Sequence, residues 1–141
     1  MSCKLSVRVD YGIRALAEIS LAGDRGTTGS AVADRSKIPK PYLKQILAAL
    51  VKNGFVESTR GPQGKYKLLR HPSEIRLSQI IESLEGPMSL ADPSMTAGPE
   101  MRAIFERLTQ AVNDALARVT LEECLRAIEK DRGGQPIMFY I

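Results

Sequence analysis

The sequence predicts a mainly α-helical chain with one small β-hairpin. Three observations predict it. Apolar residues recur at helical spacing in four segments before residue 86. Two short runs, 55–59 and 65–69, bracket the turn-forming stretch RGPQG. A last long stretch, from 99 to about 118, carries an apolar stripe that its own neighbourhood does not need. The 141 residues fit one domain with an appended element, and 43% of them are apolar, enough for a real core.

The elements follow in order. In 9–22, Val9, Ile13, Leu16, Ala17 and Ser20 or Leu21 fall on one stripe, and Gly23 is a plausible stop. AGDRGTTG reads as a loop. Thr28 or Ser30 caps a short second helix over 30–36, with Ala31, Val32 and Ala33 inward. Ile38-Pro39 makes a turn. Pro41 then stands in the first turn of a third helix, where its missing N–H does no harm. Leu43, Ile46, Leu47 and Leu50 form that helix's inner face, and Asn53-Gly54 ends it in a left-handed cap. The hairpin comes next, closed by His71-Pro72. A fourth helix over 78–85 turns Ile80, Ile81 and Leu84 inward and stops at Gly86-Pro87. Helix, helix, helix, strand, tight turn, strand is the order of a winged helix-turn-helix, with the hairpin as the wing. Its expected span is 1–87, followed by a linker over 88–98.

Pro99 opens the long helix. Met101, Phe105, Leu108, Val112, Ala115 and Val119 alternate by four and three, the seam of a coiled coil, so 99–130 reads as a dimerisation unit. The alternative is a stripe that packs on its own domain. Thr120-Leu121-Glu122-Glu123 is a capping box that starts a last helix, with Leu121, Leu125 and Ile128 inward. Residues 131–141 form a tail.

Charge is distributed unevenly. Between Arg35 and Arg70 stand nine basic residues against one acid, Glu57, a local charge of +8 in a chain of net +4, so the remainder carries −4. A basic middle in an acidic chain is the electrostatic footprint of a nucleic-acid surface. In a helix-turn-helix the second helix of the pair enters the major groove by its N-terminal turn. Here that turn holds Lys40, Tyr42, Lys44 and Gln45. Gln can pair with adenine N6 and N7, and Lys can donate to guanine O6 and N7. Tyr42 either meets a phosphate or a thymine methyl, or merely covers the helix edge.

The wing tip holds Arg60, Gly61, Pro62, Gln63, Gly64 and Lys65. The glycines let backbone amides come close to a phosphate, and Pro62 fixes the turn. Arg60 suits a narrow minor groove, and Lys65 and Lys67 add positioning contacts. The partner expected is double-stranded DNA with an inverted-repeat operator. An enzyme is not expected: the chain has a single His and shows neither a phosphate-cradling loop nor a nucleophile beside a base. No signal-like or membrane-spanning apolar run occurs, so no membrane partner and a cytoplasmic location are expected.

YLKQIL, NGFVESTRGPQGKYKL, LSQIIESLEGP and VTLEECL together resemble the small bacterial winged-helix regulators related to the iron–sulfur cluster regulator IscR. KLSVRVDYGIRALAEI is similar to that family's first helix, and the resemblance runs from about Lys4 to Ile128. It implies a homodimeric DNA-binding transcription factor, usually a repressor, with a long C-terminal dimerisation helix. Gln63 and Lys65 replace two glycines of the usual family wing, which keeps the turn and adds charge.

The departures bear on sensing. Many members carry three cysteines between the LEGP motif and the long helix, and these help to hold an iron–sulfur cluster. Here that stretch is MSLADPSMTAGPEM, with neither Cys nor His, so no metal or cofactor is expected at the family position. His71 reads as a phosphate contact or a solvent-facing turn residue. A thiol switch at Cys3, beside Lys4 and Arg8, is chemically reasonable, whereas Cys124 reads as apolar packing. The chain ends in Phe139, Tyr140 and Ile141, an apolar recognition peptide after a Gly-Gly. That end resembles the C-termini of serine acetyltransferases, which insert into cysteine synthase. Some cluster-free members, such as CymR, also work with that enzyme. Cysteine synthase is therefore an expected partner of the tail, and a protein-interaction adapter is the alternative function. Otherwise the tail packs on its own dimer.

Overall fold

The structure is a computed structural model that describes residues 5–59 and 64–133. Cys3, Arg60, Gly61, Pro62, Gln63, Phe139, Tyr140 and Ile141 lie outside the described residues. Six helices and a three-stranded antiparallel sheet make up the rest.

α1 (Val7–Ala22) is started by Ser6, whose hydroxyl accepts from the Val9 amide. It stops at Gly23, whose φ of 59° suits a residue without Cβ. α1 is central, burying Val9, Gly12, Leu16 and Ile19 against the other elements. Gly12 admits α4 at close range: a Cβ there would stand 2.5 Å from Leu84 Cδ1.

The stretch expected to be loop instead contains a 3-10 turn (Gly23–Arg25) and a short strand β1 (Thr27–Thr28). Two residues carry no periodicity, and the partner that makes them a strand is remote in sequence. α2 (Gly29–Ser36) follows, capped by the Thr28 hydroxyl on the Ala31 amide at 3.1 Å. Val32 and Ala33 are buried, while Ala31 is half-buried. α3 (Lys40–Lys52) buries the four predicted residues Leu43, Ile46, Leu47 and Leu50. Of its expected left-handed end pair, only Gly54 has positive φ.

β2 (Val56–Ser58) and β3 (Lys65–Leu68) pair antiparallel, with Glu57 opposite Lys67. β1 pairs with the other edge of β3, giving the order β1-β3-β2. α4 (Leu77–Glu85) buries Ile80, Ile81 and Leu84 and ends at Gly86, φ 82°.

α5 (Pro99–Arg118) and α6 (Leu121–Asp131) complete the chain. Thr120 caps α6 by accepting from the Glu123 amide at 3.1 Å. α6 returns to the first core. Leu121 and Leu125 are fully buried in the same cluster as Leu16, Ile46 and Ile75, with half-buried Ile128 packed against it. Two backbone bonds, Leu77 N–H to Val119 O and Leu121 N–H to Ile75 O, both 2.8 Å, clamp the start of α6 to the start of α4. At the far end, Arg132 donates to Glu18 at 2.7 Å, neutralising a carboxylate whose side chain is 4% exposed. By contrast, no residue of α5 is buried. No helix among the described residues is long and apolar enough to cross a membrane.

Candidate nucleic-acid interface

The inner face of α3 fixes the direction of its outer one. With Leu43 and Ile46 at 2% and 0% exposure, helical geometry turns Lys40, Tyr42, Lys44 and Gln45 out to solvent. They therefore share an open N-terminal turn, where a duplex groove can be met without an apolar cost.

α1 contributes to the same face, which the charge count did not single out. Arg8 Nη1 donates weakly to Gln45 Oε1, at 3.4 Å, and Arg8 Nε lies 3.8 Å from Glu85 Oε1. Arg14 donates to the Ser36 carbonyl at 2.6 Å and to Asp10 at 3.2 Å, and its guanidinium covers the Tyr11 ring at 5.1 Å. Tyr11 in turn meets Tyr42 edge-on, ring centroids 6.2 Å apart. Tyr42 thus covers the α1–α3 edge and is still 53% exposed. The available signal was helical phase: Arg8 and Tyr11 are three apart on the outer face of α1.

The wing is closed at its neck. The Thr59 amide donates to Lys65 O at 2.8 Å, and the Lys65 amide donates to the Thr59 hydroxyl at 3.0 Å. Lys65 is exposed and Gly64 half-buried at this neck. Lys67 is 3.6 Å from Glu57 across the β2–β3 pair, so its charge is shared with the one acid of the basic region. Arg70 lies over the Phe55 ring at 4.9 Å, which turns another of the counted charges to packing. His71 caps the turn Pro72–Glu74, its Nδ1 accepting from the Ser73 amide at 3.1 Å.

The family donor set for an iron–sulfur cluster does not fit this chain. Residues 88–98 contain no Cys or His. They are held instead by polar bonds, with the Leu90 amide on the Thr109 hydroxyl and Arg102 on the carbonyls of Met95 and Ala97. Among the described residues, no group of three or more His, Cys, Asp or Glu is placed to hold a metal ion.

Cys124 is half-buried against the core. Burial, and then the neighbouring Glu123 charge, push its thiol pKa up. The neutral thiol therefore dominates at neutral pH, and the side chain should be a poor nucleophile. Iodoacetamide should label Cys124 several-fold more slowly in the folded protein than in urea, measured by mass spectrometry of its peptide. Equal rates would contradict this assignment. The sign for stability follows: the thiol's contribution is complete below its unfolded pKa and is lost as pH rises through the raised folded value.

An exposed polar α3 turn, a basic hairpin beside it and a core of packed helices define a winged helix-turn-helix DNA-binding regulator. Residues 5–127 match the Rrf2 family model, described as an iron-dependent transcriptional regulator. The HTH-type transcriptional regulator CymR of Bacillus subtilis is 32% identical over 139 residues, 98% of this chain and 99% of that one. The solved structure of B. subtilis CymR, described as its global cysteine regulator, superposes with a TM-score of 0.72 at 29% identity, covering 89% of this chain and 98% of that one. That of T. potens IscR gives 0.71 at 30% identity, covering 99% and 98%. The chain belongs to the Rrf2 family of transcriptional regulators.

Proposed function

We propose that this regulator is a homodimeric repressor that binds an inverted-repeat operator, works without an iron–sulfur cluster and governs genes of sulfur and cysteine metabolism. The observation that carries DNA reading is the outward N-terminal turn of α3. Gln45 reads a base, with its amide held only loosely by Arg8. Lys44 reads a base edge or a phosphate, and Lys40 and Tyr42 position the helix on the backbone. The wing lies over the adjacent minor groove, Arg60 entering it while Gly61, Pro62, Gln63, Gly64 and Lys65 follow the backbone. The sulfur assignment is supported by the likeness to the CymR of B. subtilis.

Dimerisation is supported by α5. Met101, Ile104 and Leu108 are 49%, 41% and 48% exposed, apolar and on one side of the helix. Phe105 and Val112 are half-buried beside them. Ala115 is exposed, and Val119 packs with Leu116 on Val9, Leu77 and Ile81 of its own chain. The N-terminal three turns of α5 therefore offer the larger part of the seam to a second copy.

Two substitutions test the reading. Arg60→Ala should weaken operator binding by about 1–3 kcal/mol, measured by fluorescence anisotropy. An equal loss on every DNA sequence would make Arg60 a phosphate contact only. Gln45→Ala should relax the preference at one position of each half-site in a selection experiment. An unaltered selected site would remove Gln45 from base reading.

A further inference from the structure

Thr27 and Thr28 become a strand because β3 offers them a free edge: Thr28 stands opposite Lys65 and Thr27 opposite Tyr66. That pairing brings the turn Gly23–Arg25 against the stem of the wing. Gly26 makes the approach possible. Its φ is 70°, and a Cβ on it would stand 3.0 Å from the Tyr66 carbonyl oxygen and 3.2 Å from Lys65 Cβ. Between this turn, the end of α1, α2 and β3 lies a cavity of about 310 Å³.

Three cationic side chains line the cavity, Arg25, Arg35 and Lys65, and no carboxylate does. Among the described residues none of the three makes an ion pair. Three like charges drawn to one concavity repel one another. An anion relieves that repulsion. Two guanidinium groups offer planar forks that match phosphate oxygens, and the ammonium adds a point charge.

We propose that this cavity is a phosphate-binding site, with Arg25 and Arg35 as the fork donors and Lys65 as the third cation. It shares only Lys65 with the DNA surface proposed above. The phosphate is supplied either by the operator backbone or by a free phosphate-bearing ligand, and the chemistry of recognition is the same.

The test uses the full chain and has two arms. In the first, inorganic phosphate is titrated against chloride at constant ionic strength while the backbone amides of Gly26 and Thr27 are followed by NMR. Saturable shifts there, lost in the double variant Arg25→Gln, Arg35→Gln, assign the site to a free anion. In the second, the dependence of duplex DNA binding on salt is compared for the two proteins. A slope smaller by about 0.9 per bound protomer in log K against log salt in the double variant assigns one backbone phosphate to each site. Arg25 and Arg35 are exposed, so the double variant should keep its melting temperature. No saturable shift and an unchanged slope, in a variant that still selects the operator, would overturn the proposal and leave the DNA reading standing. Saturable shifts in a protein that selects no DNA would do the reverse.

Discussion

Replacing Leu108 with glutamate should convert the protein to a monomer and lower operator affinity by about 10²-fold or more, because two half-sites are then no longer held at once. Leu108 is the best single position for this. It is 48% exposed in its own chain and lies midway along a helix that has no fully buried residue. The folded protomer therefore loses little when it is changed, and a melting temperature near wild type is part of the expectation. A charge in the middle of a paired apolar seam, however, must be desolvated without a partner. Light scattering gives the mass, and anisotropy on single and double half-sites gives the affinity. A dimer of unchanged stability would place the interface elsewhere.

Leu125→Ala should destabilise the fold by about 2–5 kcal/mol, the range for a fully buried leucine whose cavity cannot collapse. Leu125 is 0% exposed and sits in the core that also holds Leu16, Ile46 and Ile75. Its surroundings cannot easily close up, because α6 is pinned at both ends. The Leu121–Ile75 backbone bond holds the first turn and the Arg132–Glu18 pair holds the last. Urea unfolding at fixed protein concentration measures the loss, since the stability of the proposed dimer depends on concentration. A loss below about 1 kcal/mol would mean that α6 is an accessory and not part of the core.

Much of this was legible in the sequence, and the reason is periodicity. A stripe such as Leu43, Ile46, Leu47 and Leu50 states which side of a helix is buried, and with it which side must face out. Hence the exposed set Lys40, Tyr42, Lys44 and Gln45 follows from α3 alone. The start and stop residues Thr28, Thr120, Gly23 and Gly86 act locally and were equally readable.

What periodicity does not state is the partner of a stripe. Leu121 and Leu125 announce an inward face, but only the clamp between Ile75 and Leu121 shows that they enter the first core. β1 was missed for a related reason. Its two threonines are a strand only because Tyr66 and Lys65 lie beside them. Side-chain pairing was hidden as well. Counting charge treats Lys67 and Arg70 as free cations, yet one meets Glu57 and the other covers Phe55. The same count overlooked Arg8, which comes to Gln45 of α3 from a different helix.

The central claim is that the outward turn of α3 and the wing read a specific DNA sequence as a dimer. It is tested most directly by selecting genomic fragments with the purified protein at near-physiological salt, where non-specific phosphate contacts are weakened. The expected result is enrichment of an inverted repeat whose half-sites lie about one helical turn apart or a multiple of it, close to sulfur or cysteine genes. Recovery of fragments with no shared sequence would contradict the account and leave the α3 turn without a base to read.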